Sequence, residues 1–526
     1  MIHCYQESDY LSYRDQWIAY KASQQSGAFS SSSSVLQCAI FVHYSPSREE
    51  RNVLLLLACD NDGKLYLWEL GHAPQSRFLL DDDDDDDGGG GGVDKDGFQE
   101  EEMKANETFA MASSSSKERL QLRRKRKRDR LANFSKPNHQ YKLSNGALFK
   151  LEYHAGTLNS SSSQPLLLVA GEEGVLVYDW NQLYTNNRTA AAQIRSALLA
   201  HFRPYPLPPP PVRPGNGRHP RHPDQHKEPH NKAVCYPPVL DATMVVSLEN
   251  EHGKQPPIHI YASVKDDFGC YQWNMETQQL IRTFRIASVG YVSCLQSIPS
   301  SQMLLTGDDN GMLSIWDGQQ GKLVEQININ TAAARSGKSN QRSKSTSNGG
   351  GSTKSSSASA STRSILCLTS VHDTWWTVGG QIQNGGGSSG GFLTTLHAPT
   401  RSIVASVETR ETIQRLAASS SSSSSSSLDS AAQIVSVGNE SVVSFWHPAT
   451  LLNDNKSGGD NDKDREKLVR GKQQSRVVCS SPSCHAVATT TVNGPNGSLS
   501  WTAAGGVGGF IDLYCGVQQV IRLSVM

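Results

Sequence analysis

One short unit recurs along the chain and limits what it can fold into. It is an apolar strand, a turn rich in Gly, Asp or Asn, and a second strand ending in an aromatic residue. Leu54–Cys59 leads through Asp60-Asn61-Asp62-Gly63 to Leu65-Tyr66-Leu67-Trp68, and Leu167–Ala170 through Gly171-Glu172-Glu173-Gly174 to a segment ending at Trp180. Ile258–Ser263 leads through Lys265-Asp266-Asp267 to Cys270–Trp273, and Met303–Thr306 through Gly307–Gly311 to Leu313–Asp317. Ile434–Val437 leads through Gly438-Asn439-Glu440 to Val442–Trp446. Two degenerate copies join Trp376–Gly380 to Phe392–Leu396 and Trp501–Gly505 to Phe510–Tyr514. Each unit reads as a β-hairpin. Gly with Asp or Asn supplies the positive-φ turn residues, and the apolar runs are too short for helices.

Trp273 and Trp316 stand 43 residues apart, within the roughly 40–45-residue period of the WD40 repeat, four strands to a propeller blade. The longer gaps between other aromatics contain low-complexity tracts. Seven hairpins therefore predict an all-β fold, a seven-bladed WD40 β-propeller spanning 1–526 as one domain. A solenoid fits less well, because neither end carries a polar capping repeat. The residues expected to close the blades, by filling space between stacked sheets, are Trp68, Trp180, Trp273, Trp316, Trp446 and Tyr514. Only Trp316-Asp317 keeps the Trp-Asp dipeptide, and Gly71-His72 follows a Trp rather than preceding an inner strand.

Charged residues make up 19% of the chain, below the usual ~25%, because serine, glycine, asparagine and proline tracts take their place. These predict disordered insertions at approximately 73–139, 203–232, 331–362, 417–430 and 453–475. Among their residues are Asp81–Asp87 running into Gly88–Gly92, Pro208–Pro211 and Ser419–Ser427. Such compositions bury too little apolar surface to offset ordering entropy.

Lys+Arg and Asp+Glu are both 50, which argues against a wholly basic nucleic-acid coat. Ten cysteines scattered singly point to a reducing, intracellular compartment. The first residues have acids and no apolar core, so no secretory signal is expected. The longest apolar run, Val53–Cys59, is too short to cross a bilayer, so no membrane role is expected.

Chemistry-bearing motifs are sparse. Gly337-Lys338-Ser339 lacks the glycine a phosphate-binding loop needs five residues earlier, where Ala332 stands. His219, His222, His226 and His230 sit among Pro and Arg, as in a solvated linker. Cys479, Cys484 and His485 lack a fourth ligand for structural zinc. The expectation is no enzyme, no cofactor, no metal and no small-molecule substrate. Ser45-Pro46 and Ser481-Pro482 are phosphorylation dipeptides too common to weigh. The sharp charge feature is Arg123-Arg124-Lys125-Arg126-Lys127-Arg128, followed by Asp129 and Arg130. Such a run reads as a nuclear-localisation signal, with weak, salt-sensitive RNA contact as a second effect.

Ser364–Thr369 followed by Trp375–Gly380, Met275–Thr277 through Tyr291–Leu295 to Trp316-Asp317, and Thr502–Gly505 with Ile511–Tyr514 and Ile521–Val525 together resemble the THO complex subunit 6 family. The similarity is best from about Ile258 onward. The resemblance implies a non-catalytic scaffold of the nuclear THO/TREX assembly, supporting mRNA processing and export. Its partners would be the coiled-coil THO subunits and the export machinery. Leu396-His397 stands where that family tends to have Trp-His. The runner-up is a substrate receptor of a cullin-4 ubiquitin ligase. Such receptors tend to carry Arg or Lys two residues past the Trp-Asp aspartate, and here Gln319 stands there.

Overall fold

The computed structural model describes residues 34–45, 53–71, 136–156, 164–185, 191–204, 237–246, 257–285 (except 266 and 268), 290–330, 361–371, 374–384, 387–419, 433–446, 473–494 and 497–525. Among these described residues twenty-eight strands form seven sheets, each of four antiparallel strands consecutive in the chain. Blade 1 holds β1 (Leu36–Tyr44), β2 (Val53–Asp60), β3 (Lys64–Gly71) and β4 (His139–Lys142). Blade 2 holds β5 (Leu148–His154), β6 (Leu166–Gly171), β7 (Gly174–Asp179) and β8 (Leu198–Phe202). Blade 3 holds β9 (Val239–Val246), β10 (Ile258–Val264), β11 (Gly269–Asn274) and β12 (Leu280–Arg285). Blade 4 holds β13 (Val292–Ile298), β14 (Met303–Asp308), β15 (Met312–Asp317) and β16 (Lys322–Asn328). Blade 5 holds β17 (Thr362–Val371), β18 (Trp375–Asn384), β19 (Gly387–His397) and β20 (Ser402–Thr409). Blade 6 holds β21 (Ile413–Ser419), β22 (Gln433–Gly438), β23 (Val442–Trp446) and β24 (Gln473–Val478). Blade 7 holds β25 (Cys484–Gly494), β26 (Gly497–Gly506), β27 (Phe510–Cys515) and β28 (Gln518–Ser524).

The first strand of each blade packs on the first strand of the next, and β25 packs on β1, so the ring closes. Among the described residues no strand is exchanged between the first and last blades, and packing closes the ring. A shared core brings Leu56 and Trp68 of blade 1 against Ala486, Trp501 and Leu513 of blade 7. An isolated β-bridge pairs Val35 with Val507, and His43 Nε2 lies 2.9 Å from Thr490 Oγ1.

Each inner strand shifts register once, just after its first paired residue or, in the longer β17, after its fourth: Leu36/Cys38, Leu148/Lys150, Val239/Asp241, Val292/Cys294, Ile365/Cys367, Ile413/Arg415 and Cys484/Ala486. Such a bulge bends the strand and increases its twist, and here it recurs at the same level of all seven blades. The hairpin turns follow the sequence. Asp60 Oδ1 accepts the Asp62 and Lys64 amides at 2.9 Å, and Asp308 Oδ1 accepts those of Asn310 (3.0 Å) and Met312 (2.7 Å). Gly63 takes φ +77, and a Cβ there would strike the Ser144 carbonyl, so glycine is required on both counts.

Several expectations change. Trp180 does not end a strand: β7 stops at Asp179, and Trp180 opens α1 (Trp180–Thr185). The cause is local. Asp179 Oδ1 accepts the Gln182 amide (3.1 Å), an N-cap that starts a helix where another strand residue would stand. Trp180 still fills inter-sheet space, edge-on to Tyr44 and Tyr153 and stacked on Tyr184 at 5.7 Å. A second helix, α2 (Ala191–Ala197), follows before β8. The insertion boundaries also move. His139 opens β4, Thr362 opens β17, Ala417–Ser419 finish β21, and Gln473–Ser475 begin β24. Pairing explains the change: His139 lies opposite Leu67, Ala418 opposite Ile434 and Ser475 opposite Phe445, so a neighbouring strand meets their backbone polar groups. The remaining parts of those insertions lie outside the described residues, except Lys136–Asn138, Arg203-Pro204 and Ser361.

Candidate interaction faces and the central channel

Antiparallel alternation sorts the connections onto two faces. The turns after second and fourth strands open on one face, and those after first and third strands on the other. Arg123–Arg128 and Arg130, between β3 and β4 in the sequence, lie outside the described residues, as do Gly337–Ser339 and His219–His230.

Trp68, Trp273, Trp316, Trp446 and Tyr514 all lie buried on the third strand of their blades. Trp316 Nε1 donates to Thr306 Oγ1 (3.0 Å) and Trp446 Nε1 to Ser436 Oγ (2.8 Å), tying third strand to second. The Tyr514 hydroxyl donates to the Val478 carbonyl (3.3 Å). Sequence reasoning missed two core aromatics, Trp376 and Trp501. Both sit on second strands, are fully buried, and have no Nε1 partner among the described residues. Their signal was present, since each opens a run of small and apolar residues. Cys479 and Cys484 are buried, and burial lowers the His485 pKa, with the nearby Arg415 charge acting in the same direction. Among the described residues no group of three or more His, Cys, Asp or Glu is placed to hold a metal ion, and no helix is long and apolar enough to cross a membrane. Ser481 is buried, its hydroxyl within hydrogen-bond distance of the Val507 (2.8 Å) and Ser483 (3.0 Å) carbonyls and its one hydrogen donated between them, so its Ser-Pro dipeptide is closed to modifying enzymes in the folded ring.

Two cavities stand out. The first, about 170 Å³, lies between blades 5 and 6, lined by Glu408, Arg410, Glu411, Trp446 and Arg476 among others. Glu411, in the β20–β21 turn, pairs with Arg476. Its pKa rises to about 7: burial is the main cause, a hydrogen bond with Glu440 adds to it, and Arg476 opposes it. A carboxyl whose folded pKa is raised contributes stability that is complete below its unfolded value and lost as pH rises through about 7. We expect chemical unfolding of Glu411→Gln to show a loss of stability from about pH 5 to pH 8 that is smaller than wild type by about 2–3 kcal/mol. Superimposable pH profiles would contradict this assignment.

The second cavity, about 270 Å³, is the central channel, lined by Cys38, Lys150, Asp241, Cys367 and Arg415 among others. These five occupy the positions just past the inner-strand register shifts, so the bulges set the ring's lining. Lys150 Nζ lies 3.1 Å from Asp241 Oδ1. Burial works against the Lys150 ammonium, but the Asp241 and Glu152 carboxylates outweigh it and raise its pKa. Asp241 Oδ2 also accepts the Leu295 amide (2.9 Å), and Glu152 Oε1 the Met244 amide (3.0 Å), so each acid satisfies the free edge of the next blade. Burial pushes the Cys38 and Cys367 thiols up, away from nucleophilic thiolates.

The ring and its contents define a class: a seven-bladed β-propeller built to present surfaces. In agreement, residues 278–317 match the family described as WD domain, G-beta repeat. That match runs from just before β12 through β15, so one sequence repeat supplies the outer strand of blade 3 and three strands of blade 4. Phe284 and Trp316, from those two blades, meet edge-on at 5.3 Å inside it. The protein thus carries a WD40 repeat within the propeller. No curated protein matches the chain.

Proposed function

We propose that this propeller is a non-catalytic interaction scaffold, a subunit of the nuclear THO/TREX assembly that supports mRNA processing and export through protein–protein contacts. The closed seven-bladed ring carries the scaffold reading: a ring whose strand edges are short and protected offers two faces and a rim to partners while staying rigid. The likeness of the chain from about Ile258 onward to the THO complex subunit 6 family supports the particular assembly. The coiled-coil THO subunits and the export machinery are the partners in this reading. Gln319, whose amide caps Asp317 Oδ1 at 2.9 Å, stands where a cullin-4 receptor tends to have a basic residue, and nothing favours that alternative.

In the same reading Arg123–Arg128 and Arg130 form the nuclear import signal, with weak, salt-sensitive RNA contact. Two measurements test it. Affinity purification of a tagged copy from nuclei is expected to recover other THO subunits, and recovery of none would overturn the assignment. Replacing Arg123–Arg128 and Arg130 with alanine is expected to move a tagged copy to the cytoplasm. Unchanged nuclear accumulation would remove the role given to that run.

A further inference from the structure

The outer rim repeats one irregularity around the ring. In six blades the fourth strand carries an extra residue near the end of the third strand, at the register shifts of β8, β12, β16, β20, β24 and β28. The extra residues are Leu199, Ile281, Val324, Val404, Gln474 and Val520. A bulge re-aims the side chain it carries. In blades 5 and 7 Val404 and Val520 stay half-buried. In blades 2, 3 and 4 the residue faces water: Leu199 is 36% exposed, Ile281 40% and Val324 44%, with Leu323 beside Val324 at 39%. Of the six large apolar residues this exposed among the described residues, four therefore lie on three consecutive outer strands. These strands adjoin. Gln278 Nε2, just before β12, donates to the Leu199 carbonyl of β8 (3.1 Å), and Arg282 of β12 donates to the Gln320 carbonyl just before β16. Each step of the arc also carries an exposed cation: Arg195 on α2 before Leu199, Arg282 next to Ile281, and Lys322 next to Leu323. None of the three forms an ion pair among the described residues. On the acid side Glu325 is taken by Arg401 (2.9 Å), and Asp317 Oδ1 holds the Gln319 and Gln320 amides (2.9 and 2.8 Å), which leaves Glu276 as the exposed acid of the arc's described residues.

Shape and charge narrow what covers this arc. The bulges interrupt the regular edge of each outer strand, which opposes pairing with an added strand. The partner therefore presents side chains rather than backbone, as an amphipathic helix does. Cations without a protein counter-charge select acids along the edges of its apolar stripe. We propose that the outer rim of blades 2–4 docks an amphipathic helix of a partner protein. Its apolar stripe lies over Ile281, reaching Leu199 on one side and Leu323 and Val324 on the other, and its Asp and Glu edges meet Arg195, Arg282 and Lys322. The proposal rests on the scaffold reading, to which it adds a surface and a partner chemistry. It stands apart from the export assignment, so the nuclear purification can succeed or fail without deciding it.

Fluorescence anisotropy on the full chain tests this. The probe is a labelled, designed helix of about 20 residues, roughly 30 Å long, whose leucines recur at helical spacing between rows of glutamate. It should bind saturably. A twin with lysine in place of every glutamate should bind about tenfold more weakly at the same ionic strength. Ile281→Asp combined with Leu323→Asp should weaken the glutamate probe about tenfold or more. Gln519→Asp, at the place of Leu323 in blade 7, should leave it unchanged. All three positions are exposed, so the variants should keep the wild-type thermal melt. The comparison of the two probes uses the wild-type chain and holds whatever the variants do. Absence of saturable binding would overturn the proposal. So would equal binding of the two probes, or equal binding of the glutamate probe by wild type and by a folded double variant.

Discussion

Replacing Trp501 with alanine is expected to destabilise the ring by about 3–5 kcal/mol, the range for deleting a buried large aromatic, with no change in the denaturant slope. Trp501 is 1% exposed on β26 and sits in the core shared by blades 7 and 1. Its indole N–H has no partner among the described residues, so the loss is almost entirely one of packing and cavity. That separates it from Trp316, where truncation would also orphan the Thr306 hydroxyl. Among the described residues no strand crosses between first and last blades, so this shared core and the Val35–Val507 bridge carry the closure. Trp501→Phe, which refills much of the space, should cost less than half as much. Equilibrium denaturation measures both. A Trp501→Ala loss below about 1 kcal/mol, ordinary for a surface change, would mean that the two blades do not share a core.

Asp60→Ala should cost about 3–5 kcal/mol, comparable to breaking a buried charged network by removing one partner. Asp60 is fully buried. Oδ1 holds the two turn amides, and Oδ2 accepts from Ser34 Oγ (2.7 Å) and the Tyr66 hydroxyl (2.8 Å). Removing the carboxylate strands two hydroxyls and two amides at the point where the chain enters blade 1. The Tyr66 phenol is already held neutral, its pKa raised mainly by burial, so it cannot supply a compensating charge. Asp60→Asn keeps one acceptor oxygen and should fall between wild type and Asp60→Ala. An Asp60→Ala chain as stable as wild type would show that this network does not hold the turn.

What was legible follows from physics. The second and third strands of each blade are buried on both sides and joined by tight turns, so apolar runs and Gly-Asp punctuation announced them. Apart from the last strand at Ile521–Val525, which falls on β28, the outer strands were not legible. β16 exposes Leu323 and Val324 beside Lys322, and β24 begins Gln473-Gln474-Ser475; an edge facing solvent needs no apolar alternation. β21 merges into the serine tract because its last residues, Ala417, Ala418 and Ser419, are small side chains whose composition continues into that tract while their backbone pairs with β22. Trp180 misled because an N-cap aspartate precedes it, a local signal that overrides the hairpin pattern. The channel could not be read either. Cys38, Lys150, Asp241, Cys367 and Arg415 are far apart in sequence, and only seven equivalent bulges around a closed ring bring them to one level. The basic run at Arg123–Arg128 was legible as charge, but its role rests on the nuclear experiments above.

Closure of the ring is the claim on which the rest depends, and one cross-link tests it most directly. Val35 and Val507 face each other across a β-bridge. Bridged pairs have Cα atoms about 4.5–5.5 Å apart, inside the window a disulfide spans. The described native cysteines are all free. Mild oxidation of the Val35→Cys, Val507→Cys chain, followed by peptide mapping of the monomer, should recover the peptides containing positions 35 and 507 joined to one another. Recovery of both as free thiols, in a monomer that is otherwise folded, would mean that the first and last blades do not meet and that the chain is an open stack rather than a ring.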